Sequence, residues 1–253
     1  MLKDRVAIIT GGANGIGRAV AGMLVKEGAK VVIADISEEG ISKTCEEIGA
    51  TGLKVDLSKR EDCKKIVDFA IERYGRIDIL GNIAGVQHVC ALEEFPEDKW
   101  DFMVNLMLTA PFLLTRYAWP HMKKNGWGRI VNLSSIHGLV ASEYKAAYVS
   151  VKHGLYGLTK TAALEGGPFG ITVNCICPAY VHTKLVEGQI KDQARVHGIS
   201  EEEVVSEILL AKSAIKKIID PQTVAESFKF LCSDAASGIT GISLPIDGGW
   251  TAN

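Results

Sequence analysis

Short apolar runs alternate along the whole chain with longer stretches in which apolar residues recur every three or four positions. The runs at residues 6–9, 30–34, 53–55, 77–80, 129–133, 171–176 and 242–246 read as strands. Helical periodicity fills 18–27, 38–48, 60–74, a stretch around Trp100 and Asn105 opened by Pro96, then 112–124, 144–165 and 222–231. Strands that lack polar alternation are buried on both faces, and strands separated by helices run parallel. The pattern therefore predicts one α/β domain over 1–253, a doubly wound parallel sheet of about seven strands with helices on both faces. Residues 184–210, charged but with an apolar stripe, form the one long insertion between strands, where a substrate lid is expected.

Composition narrows the classes of function. With 253 residues, 47% of them hydrophobic, the chain has ample material for such a core. A formal net charge of −2 and the lack of any basic block argue against nucleic acid and against anionic membrane surfaces as partners. No apolar run reaches membrane-spanning length, and none at the start resembles a secretory leader. The six cysteines have no Cys-x-x-Cys spacing, and Cys175 and Cys177 share one face of a strand as buried thiols, so a reducing cytoplasm is the expected location. Histidines 88, 121, 153, 182 and 197 show no metal-ligand spacing, and no metal is expected.

Two stretches carry chemistry. The first is the turn Thr10-Gly11-Gly12-Ala13-Asn14-Gly15-Ile16-Gly17, between a strand and a helix. Its glycines let the backbone wrap a bulky anion and bring the free amides of a helix N-terminus up to a pyrophosphate. The glycines by themselves are also compatible with a turn that binds nothing. Asp35, at the tip of the second strand, favours the dinucleotide: its carboxylate is placed for ribose hydroxyls and would repel a 2′-phosphate. Neither Ala13 nor Asn14 supplies a compensating cation, so NAD is expected over NADP. The second stretch is Ser135 to Lys152, where Tyr148 and Lys152, four residues apart in a predicted helix, put an ammonium beside a phenol.

The turn, Asp35, Ser135, Tyr148 and Lys152, at these separations, resemble the short-chain dehydrogenase/reductase family along the whole chain. Further marks agree: Asp56-Leu57, Asn82-x-Ala84-Gly85, Asn105, the segment from Pro178 to Thr183, and Asp247-Gly248-Gly249. Two departures are Ile83, where the family has a second Asn, and Ala179, where it has Gly after the proline. The resemblance implies a Rossmann-type fold and a catalytic set of Asn105, Ser135, Tyr148 and Lys152. It implies NAD held by Thr10, Gly11, Asn14, Gly15, Ile16 and Gly17, by Asp35, Asp56 and Leu57, and by Asn82, Ala84 and Gly85. Pro178, Val181 and Thr183 complete that set, with Tyr148 and Lys152 shared between catalysis and cofactor. The family pairs helices equivalent to 112–124 and 144–165 across a dimer and joins dimers through its last helix and strand, so a homotetramer is expected.

Within the family, Gly85-Val86-Gln87-His88, Pro120-His121-Met122-Lys123-Lys124, His137 to Ser142 and Asp247 to Ala252 are similar to the bacterial D-3-hydroxybutyrate dehydrogenases. That similarity implies a substrate carboxylate held by Gln87, His137, Lys145 and Gln189, an aromatic wall at Trp250, and a further pocket residue at Tyr180, where the group has Trp. The substrate would be a small hydroxy acid or keto acid, and the reaction reversible hydride transfer at C3 with Tyr148 as acid and base, Ser135 steadying the substrate oxygen and Asn105 anchoring a water. Another substrate class, a β-ketoacyl thioester, a diol or a sugar, is the alternative. Lowering a phenol from about 10 to about 7 takes roughly 4 kcal/mol. An ammonium about 4 Å away at an effective dielectric near 20 supplies about that much. Burial opposes it, so the charge of oxidised nicotinamide is expected to add to that of Lys152.

Overall fold

Unbroken runs of branched apolar residues form the central sheet because both of its faces are covered. The computed structural model describes residues 2–252. Its strands are β1 (Val6–Thr10), β2 (Lys30–Asp35), β3 (Thr51–Lys54), β4 (Ile79–Asn82), β5 (Gly128–Leu133), β6 (Ile171–Pro178) and β7 (Ser243–Ile246). They lie in the order β3-β2-β1-β4-β5-β6-β7, and each pairing is parallel. Ala7, Ile9, Val31 and Ile33 point to one side and meet α1 (Gly15–Lys26), α2 (Glu38–Ile48) and α9 (Pro221–Cys232) through Leu24, Ile41 and Phe228. Ile8, Val32, Leu80 and Ile130 point to the other side and meet α3 (Arg60–Tyr74), α5 (Ala110–Asn125) and α6 (Ala146–Gly166) through Ile66, Leu114 and Ala163. Alternate residues of each strand thus feed two separate cores. This is the doubly wound Rossmann-type sheet that the alternation of elements predicts.

Several boundaries differ from the sequence pattern. The fourth strand begins at Ile79, two residues beyond the start of its apolar run, because Asp78 is fully buried in a polar knot. There its carboxylate accepts from the Val6 amide at 2.9 Å and pairs with Arg5 and Arg76. The third strand starts at Thr51, ahead of its apolar residues, because it is the edge strand and Thr51 is anchored to the Val31 carbonyl. The helix expected around Trp100 and Asn105 and the one expected over 112–124 are one: α4 (Glu97–Val104) runs through a widened turn, Asn105–Thr109, directly into α5. In that turn the Ala110 amide donates to the Asn105 carbonyl, five residues back. Helix α6 begins at Ala146 rather than 144, since Tyr144 lies in the left-handed region with φ 62°. The long insertion consists of α7 (Lys184–His197), the single turn α8 (Glu201–Glu203) and a second widened turn, Val204–Leu209.

Strand order reverses between β1 and β4, so the loops that leave their carboxyl ends diverge and open a crevice. Thr10 holds that point together. Its hydroxyl donates to the Gly81 carbonyl and accepts from the amides of Ile83 (2.8 Å) and Ala84 (3.0 Å), joining the glycine turn to the loop after β4. Thr10→Val keeps the shape but leaves buried donors without an acceptor, a loss on the order of 2–4 kcal/mol. The midpoint of urea unfolding should fall accordingly; an unchanged midpoint would show that the hydroxyl is dispensable.

Candidate active site

The crevice is a cleft of about 340 Å³. Gly11, Asn14, Gly15, Ile16 and Gly17 form one wall. A Cβ on Gly17 would lie 2.1 Å from the Gly11 carbonyl oxygen, and one on Gly11, at φ 66°, would lie 2.9 Å from Ala84 Cα. These positions admit glycine alone, and the space they leave is a backbone cradle. Asn14 is the N-cap of α1, extended at φ −158° and making no side-chain cap bond, so the first amides of the helix remain open to an anion. Asp35 lines the next part of the cleft, with its carboxylate fixed by the Ala13 and Ser37 amides at 3.1 Å each. Asp56 and Leu57 lie alongside, and the Ser58 hydroxyl and amide hold the Asp56 carboxyl below its usual range. A dinucleotide fits this donor and acceptor set: helix amides for phosphates, carboxylates for ribose and base.

Deeper in, Ser135, Tyr148 and Lys152 meet at the same cleft. Ser135 ends the strand β5 approach as an extended residue, and its Oγ accepts from the His137 amide. Lys152, 3% exposed, donates from Nζ to the Leu133 carbonyl at 2.6 Å, and its Nζ lies 5.4 Å from the centre of the Tyr148 ring. Burial lowers the Lys152 ammonium to about 8. Burial also pushes the Tyr148 phenol up to about 12, opposed by its hydrogen bond with Ser135. With Lys152 lowered to about 8 and the Tyr148 phenol raised to about 12, the ammonium has lost its proton before the phenol titrates, so burial outweighs the lowering expected from the four-residue spacing.

Gln87, His137, Lys145, Tyr180 and Gln189 line the far end of the cleft. Lys145 is the N-cap residue of α6 and only 5% exposed, and its Nζ lies 3.1 Å from His137 Nε2. An ammonium only donates, so Nε2 accepts and the ring proton sits on Nδ1, which is enclosed without a partner. Desolvation and then the Lys145 charge depress His137 to about 4, so the imidazole is neutral. Burial lowers the Lys145 ammonium below its ordinary 10.5. Gln87 Oε1 is likewise enclosed and unpartnered. Tyr180 stacks under the Lys145 ammonium at 5.8 Å and also belongs to the apolar cluster of the insertion, with Val186, Ile190, Val204 and Leu209. The ends of the insertion are pinned by a bridge between Val181 and Ile219, and Thr183 caps α7 at its start.

Ala84, Gly85, Pro178, Val181 and Thr183 also line the cleft. Four expected residues do not. Thr10 and Asn82 lie beneath it, Asn82 donating to Asn132, which donates to Thr159. Asn105 is exposed outside it in the widened turn. Trp250 stands behind the wall, its ring 6.2 Å from that of His137 and its Nε1 enclosed without a partner. The apolar lining of Ile36, Val86, Phe102, Leu106 and Leu185 is not foreseen by the motifs. Its only sequence signal is position, since each residue lies within or close to a motif or within three residues of Asn105.

Comparison with known proteins agrees with this geometry. A family model described as enoyl-(acyl carrier protein) reductase matches residues 11–251. The chain is 46% identical to a D-beta-hydroxybutyrate dehydrogenase of Rhizobium meliloti (strain 1021), covering 98% of this chain and 99% of that protein. It is 38% identical to a protein of the same description from Cupriavidus necator, over 100% of both. The crystal structure of a levodione reductase superposes with a TM-score of 0.92 at 32% identity, covering 99% of this chain and 98% of that one. With likeness of sequence and fold running the length of every partner, the chain belongs to the short-chain dehydrogenase/reductase family of oxidoreductases, whose dehydrogenases of this kind work with nicotinamide cofactors.

Proposed function

We propose that this enzyme interconverts (R)-3-hydroxybutyrate and acetoacetate with NAD. The observation that carries the reading is the buried Lys145 ammonium. It lines the cleft, has a neutral imidazole as its neighbour, and is shifted by no carboxylate among the described residues. It also sits at the N-terminus of a 21-residue helix, where the backbone dipole adds to its positive charge. A small organic acid relieves this: its carboxylate takes the ammonium and the amide groups of Gln87 and Gln189, while the His137 ring steadies the Lys145 side chain through Nε2. The names of the two D-beta-hydroxybutyrate dehydrogenase relatives support the same substrate.

The acid's C3 hydroxyl is then turned toward Ser135 and Tyr148. In oxidation Tyr148 removes the hydroxyl proton, and in reduction it returns it, with the Ser135 hydroxyl stabilising charge on the substrate oxygen. The chemistry supplied by bound NAD is hydride acceptance at the nicotinamide, together with a positive charge near the phenol. Lys152 keeps its ammonium at neutral pH and directs it to the cofactor ribose and the tyrosine side of the cleft. Preference for NAD over NADP is supported by Asp35, by the exposed apolar Ile36 that follows it, and by Arg18, which is paired with Glu47 instead of being held for a 2′-phosphate. Residues 184–209, with a core of their own and Gln189 on α7, are suited to act as a lid that closes over the acid.

An absorbance assay of cofactor reduction tests the function. (R)-3-Hydroxybutyrate with NAD should exceed its (S) isomer, a neutral secondary alcohol of similar size, and the NADP reaction by at least ~10-fold each in kcat/KM, about 1.4 kcal/mol. Equal turnover of the neutral alcohol would refute the acid pocket. Tyr148→Phe should lower kcat by roughly 10²–10⁴, while NADH fluorescence titration shows binding retained; near-normal turnover would remove Tyr148 from the mechanism. Lys145→Ala should raise KM for the acid about 10–100-fold with kcat within ~3-fold. In the unmodified enzyme that KM should climb with pH from below 10.5, because burial makes Lys145 lose its proton early. A flat KM profile through pH 10 would contradict that role.

A further inference from the structure

We infer that Tyr144 is a positioning residue for the acid pocket, and that its left-handed backbone, rather than its ring, sets Lys145 against His137. The inference rests on the reading of Lys145 as the partner of the substrate carboxylate. Among the described residues only Asp4 and Tyr144 combine a side chain with a positive φ, both at 62°. Aspartate tolerates this region through its short polar side chain; a bulky aromatic is disfavoured there. The residue is also 58% exposed, so burial of its ring does little to offset that cost.

The return lies in the main chain, in two contacts. Lys145 follows at φ −127° and ψ 35° as the N-cap of α6, and this entry carries its side chain inward to a 3.1 Å contact with His137. The Tyr144 carbonyl accepts from the Cys90 amide at 3.0 Å, tying the loop after β4 to the start of α6. Gln87, with its enclosed and unpartnered Oε1, is on that loop three residues before Cys90. One residue thus joins two of the groups that would hold the carboxylate. An extended or helical backbone at 144 would change the direction from which the chain enters α6 and displace both contacts together.

The test compares Tyr144→Gly and Tyr144→Asn, which accept the left-handed region, with Tyr144→Val, which resists it. Glycine and asparagine should leave KM for (R)-3-hydroxybutyrate within ~2-fold, whereas valine should raise it ~10-fold or more with kcat within ~3-fold. NADH affinity should be the same in all three. A second readout does not depend on substrate: the NMR titration of His137, whose ring faces Lys145, Tyr148 and, farther off, His153. It should stay at about 4 in the glycine and asparagine variants and rise measurably in the valine variant, where the Lys145 charge moves away while burial of the ring persists. Wild-type KM and titration in Tyr144→Val would overturn the inference, as would an equal loss in Tyr144→Gly, which would assign the role to the ring. If the unmodified enzyme does not oxidise the acid, the reading of Lys145 falls, and the His137 titration alone then decides the placement.

Discussion

Two lysines stand almost entirely out of water with no acid among the described residues paired to either, and the active edge is arranged around that cost. Lys145 and Lys152 are 5% and 3% exposed. An ammonium taken out of water loses several kcal/mol of hydration. Lys152 recovers part of this from the Leu133 carbonyl, and Lys145 recovers less, from a neutral imidazole. Lys145 also sits at the N-terminus of α6, where the helix dipole adds to its charge. The result is a wall of positive potential facing a cleft whose opposite wall is a glycine turn with open amides. Such a surface attracts negative charge from two directions.

That convergence is a product of the sheet. Every strand is parallel, so every strand ends at the same edge, and reversal of the order between β1 and β4 opens the crevice there. Thr10 is the single hydroxyl that keeps the two diverging loops in register, with three hydrogen bonds into Gly81, Ile83 and Ala84. Its role is mechanical, since it lies below the cleft. Asn82 does similar work through Asn132 and Thr159, linking β4 to β5 and α6.

What the sequence makes legible is what depends on local order. The alternation of apolar runs gives the layers, the glycine spacing gives the cradle, and a four-residue interval puts Tyr148 near Lys152. What it hides depends on single dihedrals or on distant partners. Helical periodicity runs back to 144 and is blind to the positive φ that excludes Tyr144 from α6. The run 77–80 is apolar except for Asp78, whose burial against two arginines delays the strand. The widened turn at Asn105–Thr109 holds one extra residue and leaves Asn105 exposed, a difference no periodicity of this resolution registers. Phe102, Leu106 and Leu185 line the cleft yet have the composition of ordinary core residues.

Tyr180 belongs at once to the cleft wall and to the small apolar core that holds residues 184–209 together. The volume available to a substrate and the cohesion of the covering segment are therefore one physical quantity and not two. A smaller side chain at this position widens the cleft while removing packing from the cover; a larger one does the reverse. Cleft width is exchanged here against the cohesion of residues 184–209, so a change of size at Tyr180 calls for a matching change at Val186, Ile190 or Leu209.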